Sequence, residues 1–318
     1  MQTFSKTTGI SVVVANMIGT GVFTSLGFQL LDIQSPFVLI MLWFVGGLTA
    51  LCGALTYAEL GANLPRSGGE YNFLARLYHP GAGFISGWVS ATVGFAAPVA
   101  LAAMTFGAYL SAVFPSLPPT GSAVALVIAL TVVHCLSRQT SSSVQQAFTG
   151  LKILLILVFC GVILIWGNTP QSISLMPQAG DEKLLLSGAF AIALIYVNYA
   201  YTGWNAATYV TSELDNPQRN LPLVLFVGTG LVMMLYLLLN MTFLSAAPVS
   251  ILEGKIEVGV IVADHALGEN AGRAMGAMLA LLLISTVSAM TMAGPRVLKV
   301  IGEDFDLFAA LARNNKHG

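Results

Sequence analysis

Apolar stretches about twenty residues long recur along nearly the whole chain, and no other feature of the sequence limits the fold as much. A hydrocarbon core about 30 Å thick is crossed by roughly 20 helical residues. Eight such windows occur, at 9–31, 37–61, 82–113, 121–137, 150–167, 184–210, 222–246 and 272–300. Within lipid every backbone N–H and C=O must be satisfied by the protein itself, so only helices or a closed barrel can span. No series of ten-residue alternating segments points to strands. Only 8% of the 318 residues are charged, whereas a water-soluble domain carries about a quarter. An aqueous globule is excluded, and an all-α polytopic membrane protein with about eight transmembrane helices is expected. The net charge of −1 leaves no electrostatic footprint for nucleic acid. Cys52, Cys135 and Cys160 lie inside apolar stretches and read as small hydrophobic residues, not as a disulfide framework.

Basic residues in the connections set the expected orientation. With a cytoplasmic N-terminus, Lys6, Arg66, Arg76, Arg138, Arg219, Arg296, Lys299, Arg313 and Lys316 fall inside, and Lys183, Lys255 and Arg273 fall outside. The connection 62–81 holds a Pro65-Arg66-Ser67-Gly68-Gly69 turn followed by a short helical pattern, and 138–149 is a polar run leading into the fifth span. Both are expected in the cytoplasm. Between Ala247 and Ala271, apolar Ile251, Ile256, Val260 and Ile261 suit a short helix lying on the outer face.

Two spans carry interruptions. The first, VVVANMIGTGVFTSLGFQLL, has Gly19-Thr20-Gly21 at its centre. Two glycines one residue apart weaken a helix where lipid offers no replacement hydrogen bonds, although such a triplet also serves as a packing face. The sixth, AFAIALIYVNYAYTGWNAATYV, centres on Asn198, Tyr199, Tyr201, Thr202, Gly203, Trp204 and Asn205. Polar groups at that depth are costly unless they line something. The interruptions lie five spans apart, so the two spans run in opposite directions, the pattern of an inverted repeat with a site between its halves. If both unwind, the outer half of the first span starts just after Gly21 and aims its free N–H groups and positive dipole end at the gap, which favours a carboxylate. Unpaired carbonyls near Asn16, Met17, Tyr199 and Thr202 can accept from an ammonium. Neither break holds Asp, Glu, Lys or Arg. The expected ligand is a zwitterion whose side chain has no large net charge.

Other polar residues read as structural. Glu59 with Arg66 forms an expected interfacial pair, and Glu213, Asp215 and Arg219 around Asn216-Pro217 an expected local ion pair in a solvated turn. His79, His134, His265 and His317 show no ligand spacing, and no nucleophile–base set, phosphate loop or metal box is visible. Neither an enzyme nor a cofactor or metal is expected. Lys152 has two readings by spacing: a lysine snorkelling to an interface one turn away, or a buried ammonium with an internal role.

Several stretches resemble the amino acid, polyamine and organocation permeases, which share the leucine-transporter-like fold. They are Met17-Ile18-Gly19-Thr20-Gly21-Val22-Phe23, Tyr57-Ala58-Glu59-Leu60-Gly61, Pro65-Arg66-Ser67-Gly68-Gly69-Glu70-Tyr71, and the run from Tyr201 to Pro222, which looks most like the L-type neutral amino acid branch. The resemblance implies that Gly19, Thr20 and Gly21 receive a substrate carboxylate and that Met17, Tyr199 and Thr202 offer carbonyls to its amine. It further implies that the Tyr199 ring gates the side-chain pocket and that Trp204 and Asn205 line its outer wall, with Ala200 and Gly203 completing the site. Asn16 stands where small or hydroxyl residues are usual. Phe148-Thr149-Gly150-Leu151-Lys152 resembles the segment whose lysine occupies the place of a sodium ion in sodium-coupled relatives, which implies a coupling role for Lys152, as a proton carrier or a fixed cation.

The resemblance implies a secondary active transporter of neutral L-amino acids working by alternating access, as a proton symporter or an amino acid exchanger, in the plasma membrane. Its partners would be the amino acid, a proton and the lipid bilayer; no protein partner is specified. A first five-span repeat is expected at 1–168, spans six to eight of a second, inverted repeat at 169–300, and a cytoplasmic tail at 301–318. Twelve spans are usual in the family, so a truncated or fragmentary chain is expected. The competing reading is a truncated, non-transporting membrane module for binding or assembly.

Overall fold

The computed structural model describes residues 3–167 and 170–313. Among these, seven helical spans are long and apolar enough to cross a membrane. The first is made of α1 (Lys6–Met17) and α2 (Gly21–Gln29), and the second is α3 (Pro36–Asn63). A short α4 (Glu70–Leu77) follows the predicted turn. The third span joins α5 (Pro80–Val89), a π-helical stretch (Ser90–Ala96) and α6 (Ala97–Val113). The fourth and fifth are α7 (Pro119–Leu136) and α8 (Arg138–Trp166). Short α9 (Asp181–Leu185) leads to α10 (Gly188–Ala200), a five-residue turn and a 3-10 helix (Ala206–Glu213). Then come α11 (Pro217–Ala246), α12 (Val249–Leu252), α13 (Val258–Leu267) and α14 (Glu269–Asp304), closed by a 3-10 segment at Asp306–Ala312.

Serines set many of the helix starts. The side chains of Ser5, Ser35, Ser137 and Ser187 each accept a first-turn N–H, and Pro36 sits in the first turn of α3, where its missing N–H costs nothing. Polytopic helical architecture is therefore as expected. The sixth predicted span, 184–210, is not one long helix, because its helical part stops at Ala200. The first span and α11 supply much of the buried core, whereas α7 buries little beyond Ala123 and Leu130 and turns most of its apolar surface outward.

Four local expectations are corrected. The run 138–149 is not a solvated connection: it forms the start of α8, and Ser141, Gln145 and Thr149 are buried. Glu213 pairs not with Arg219 but with Arg296 at 2.8 Å and Arg138 at 3.7 Å, joining three elements distant in sequence. Burial raises this carboxyl's pKa, but the facing Arg296 outweighs it and holds Glu213 below the usual carboxylate range. Arg66 pairs with Glu303 at 3.1 Å and Asp304 at 2.9 Å, while Glu59 points to the exposed side of α3. Between Ala247 and Ala271 the expected single helix is two: Ile251 lies in α12, Val260 and Ile261 lie in α13 beside buried Val258, Val262 and Ala266, and Ile256 is exposed between the two. Lys316 and His317, and the side chain of Glu269, lie outside the described residues.

The N-terminal segment is tied to the end of the sixth span. Phe4 N–H donates to the Glu213 carbonyl at 2.6 Å, and Asp215 N–H donates to the Phe4 carbonyl at 2.9 Å, a single parallel bridge. The Arg296 guanidinium covers the Phe4 ring at 5.5 Å, so the salt bridge and the backbone bridge reinforce each other.

Candidate functional site

Both predicted interruptions are real breaks. Helix α1 stops at Met17, Ile18 is extended, and α2 restarts at Gly21 with Thr20 as an N-cap whose side chain makes no capping bond. The first N–H groups of α2 therefore lack the usual side-chain partner. In the sixth span α10 ends at Ala200 and regular structure resumes at Ala206. Gly203 makes that turn possible: its φ of +103° suits glycine, and a Cβ there would meet the Asn16 carbonyl carbon at 2.9 Å. The two breaks thus touch each other directly.

A cavity of about 450 Å³ lies against them. The eleven residues expected at a ligand site, Asn16, Met17, Gly19, Thr20, Gly21, Tyr199, Ala200, Thr202, Gly203, Trp204 and Asn205, all line it. Val93, Gly94 and Phe95 of the third span and Leu283, Thr286 and Met290 of α14 complete the wall, and no Asp, Glu, Lys or Arg appears among the lining residues. The π-helical stretch widens the third span where it meets this wall, a placement common at functional sites.

The carbonyl inventory departs from expectation at two positions. The Met17 carbonyl already accepts from the Tyr236 hydroxyl at 2.7 Å and from Gly19 N–H at 3.0 Å. The Tyr199 carbonyl accepts from Thr202 N–H at 3.1 Å and from the Thr202 hydroxyl at 2.7 Å. With both lone pairs engaged, neither is a ready seat for an ammonium in this state. Tyr199 is 64% exposed although it lines the cavity. Asn16 turns its amide back to the Val12 carbonyl at 2.9 Å, so it cannot also donate those hydrogens freely.

Sequence reasoning missed Tyr236. This fully buried residue on α11 places one hydroxyl 2.7 Å from the Met17 carbonyl and 2.9 Å from the Ala200 carbonyl, bridging the two breaks. Its ring packs on Trp43 at 5.4 Å and Tyr201 at 4.9 Å. A single tyrosine in the apolar run MMLYLLLN gives no periodic signal.

Lys152 does not snorkel. It is 1% exposed, and its ammonium donates to the Ile18 carbonyl at 2.5 Å, the Thr286 hydroxyl at 2.8 Å and the Ala15 carbonyl at 3.4 Å. It thus holds the end of α1 against α8 and α14. Below it, Thr149, Gln145 and Ser141 continue one polar face of α8. Gln145 and Thr149 donate to the Ser11 carbonyl at 3.4 and 3.3 Å, Ser288 donates to Gln145 at 2.6 Å, and the His134 ring joins Ser141 at 2.6 Å to Ser288 at 3.0 Å.

A bundle of helices long and apolar enough to cross a membrane, with two spans broken at facing positions, defines an integral membrane protein built around an internal cavity. Comparison with known proteins gives the family. Residues 4–318 match the amino acid permease family model. The chain is 32% identical over 268 residues to the human b(0,+)-type amino acid transporter 1, covering 81% of this chain and 54% of that protein. It is 33% identical over 267 residues to the rabbit large neutral amino acids transporter small subunit 2, covering 81% of this chain and 50% of the relative. The mouse form of the latter is 32% identical over the same shares. The chain belongs to the amino acid permease family, and it spans about half the length of these relatives.

Proposed function

We propose that this chain forms the substrate-binding core of a secondary transporter of neutral L-amino acids that works by alternating access. The observation that carries this reading is the cavity between the breaks, lined by the start of α2, which has no side-chain cap, and by no charged side chain. An α-carboxylate is favoured at the start of α2 by free N–H groups and the helix dipole. The α-ammonium takes a peptide carbonyl of the breaks other than the engaged ones of Met17 and Tyr199, and a neutral side chain takes the apolar wall of Phe95, Leu283 and Met290. The two interrupted spans belong to inverted halves, 1–168 and 169–300, with the N-terminus in the cytoplasm of a cell whose plasma membrane holds the protein. Names of the relatives, all transporters of amino acids, support the substrate class.

Lys152 supports transport without sodium, since its ammonium already supplies a cation to the Ile18 carbonyl. Coupling then runs through a proton or through exchange of one amino acid for another. A thermal-shift screen of the twenty amino acids on purified protein tests the binding step, because a ligand that binds only the folded form raises its melting temperature. Shifts confined to neutral L-amino acids, followed by equal counterflow in sodium and choline buffers, are expected. No shift with any amino acid would refute the reading, and binding without flux in sealed vesicles would favour a binding module.

A further inference from the structure

The Pro65–Tyr71 turn has no part in the site as described, yet it is fastened to the inner half of the sixth span. Ser67 N–H donates to the Ser212 hydroxyl at 2.8 Å, Ser212 N–H donates back to the Ser67 hydroxyl at 2.9 Å, and Gly69 N–H donates to the Thr208 carbonyl at 3.3 Å. Gly69 has φ +53°, and a Cβ there would meet the Tyr209 ring at 2.7 Å, so only glycine lets the turn come this close.

This fastening delivers Glu70, the first residue of α4, to the breaks. Its Oε1 accepts from Asn205 Nδ2 and its Oε2 from the Tyr209 hydroxyl. The Tyr209 hydroxyl lies 3.0 Å from Ser90 Oγ, at the start of the π-helical stretch. Asn205 and Tyr209 both line the cavity, whereas Glu70 does not. Asn205 and Tyr209 therefore both end on one carboxylate placed just behind the wall.

The chemistry of that carboxylate decides how Asn205 faces the ligand. An ionised carboxylate only accepts hydrogen bonds, while an amide has one donating end and one accepting end. Glu70 takes the donating end. The amide oxygen is the end without a protein partner among the described residues, and Asn205 lines the cavity. The amide orientation is thus fixed by its partner and not by Asn205 itself.

We propose that Glu70 is a positioning residue of this site, holding Asn205 so that the cavity is offered an acceptor and selects ligands bearing N–H donors over isosteres that carry acceptors alone. This rests on the amino acid transport reading. With Glu70→Gln the partner can donate as well as accept, so the Asn205 amide is free to flip and turn its NH₂ group into the cavity. The exchanged pair, Glu70→Gln with Asn205→Asp, restores the original polarity: the new carboxylate accepts from the new amide through one oxygen and keeps the other for the ligand.

The test measures dissociation constants, from the ligand dependence of the melting temperature, for the amino acid that shifts the wild-type full chain most and for its α-keto acid. For Glu70→Gln, affinity for the amino acid should fall about tenfold, the size of one lost hydrogen bond to a charged group. Preference over the keto acid should shrink with it, and the exchanged pair should recover most of both. Mere structural support by Glu70 would lower the melting temperature without altering the preference, and that outcome overturns the proposal, as would wild-type affinity and preference in Glu70→Gln. If Glu70→Gln does not fold, the exchanged pair alone decides: wild-type preference supports the inference and a lost preference overturns it. A wild type that shifts with no amino acid would bring down the transport reading, and this inference with it.

Discussion

Replacing Tyr236 by phenylalanine removes one oxygen atom, the one that bridges the two helix breaks. The site is fully buried, and the ring contacts to Trp43 at 5.4 Å and Tyr201 at 4.9 Å survive the change, so no cavity opens and packing losses are small. What is lost is a hydroxyl 2.7 Å from the Met17 carbonyl and 2.9 Å from the Ala200 carbonyl. Met17 keeps its bond from Gly19 N–H at 3.0 Å, whereas Ala200 loses the hydroxyl. A buried acceptor left short of a donor costs about 1–3 kcal/mol. Since every 1.4 kcal/mol is tenfold, a loss falling wholly on the mutual placement of the breaks weakens amino acid binding by roughly 5-fold to 150-fold. The assay is the melting temperature of Tyr236→Phe in detergent, with and without titrated ligand. Both a lower melting temperature and a weaker dissociation constant are expected. Wild-type values for both would refute the reasoning that this hydroxyl sets the geometry of the site.

Three other substitutions test separate parts of the structure. Gly203→Ala forces a side chain into φ +103° and against Asn16, so it should destabilise the protein by about 1–3 kcal/mol or more; an unchanged melting curve would contradict the turn. Lys152→Met removes the donors to Ile18 and Ala15 but also removes a buried charge. Because desolvating an ammonium is costly, thermal stability should be kept or raised while ligand binding and flux fall; full flux in this variant would exclude a functional role for the ammonium. Glu213 titrates lower in the folded protein than its ordinary 4.5. Its stabilisation is therefore complete at neutral pH and fades as pH falls past the ordinary value and through the folded one. The stability gap between wild type and Glu213→Gln should thus be widest near pH 7 and close in acid; a gap independent of pH would refute the ion-pair account.

The breaks were legible because they break local rules. Gly19-Thr20-Gly21 and the polar cluster from Asn198 to Asn205 sit where an apolar helix would tolerate neither, and such violations mark function. The cavity lining follows from them. What could not be read is long-range pairing. Arg66 finds Asp304 across 238 residues and Arg296 finds Glu213 across 83, whereas a reading of the chain pairs each charge with a neighbour. Burial of the 138–149 run was hidden for the same reason, since its serines and glutamine are costly inside a bundle until Ser11, His134 and Ser288 answer them. The π-helical stretch at Ser90–Ala96 leaves no sequence mark, because SATVGFA suits an α-helix equally well.

The N-terminal half of the first span, α1, is held in two unlike ways. Toward α11 it meets apolar groups, Val13 lying against Gly228 and Gly9 against Val224, which lose their stabilisation once water enters. Toward α8 the joint is wet chemistry: the Thr8 and Ser142 hydroxyls meet at 2.7 Å, Gln146 donates to Thr8 at 2.9 Å, and the Ser11 carbonyl takes Gln145 and Thr149. Water can substitute for each of those hydroxyl and amide partners in kind, so parting these bonds forfeits little, whereas the buried Lys152 bonds to Ala15 and Ile18 are costly to break. One flank of the helix is a weld and the other a zipper that ends in a rivet at Lys152, so a swing of the first turns of α1 away from α8, pivoting on that residue, is the cheaper of its two ways to move.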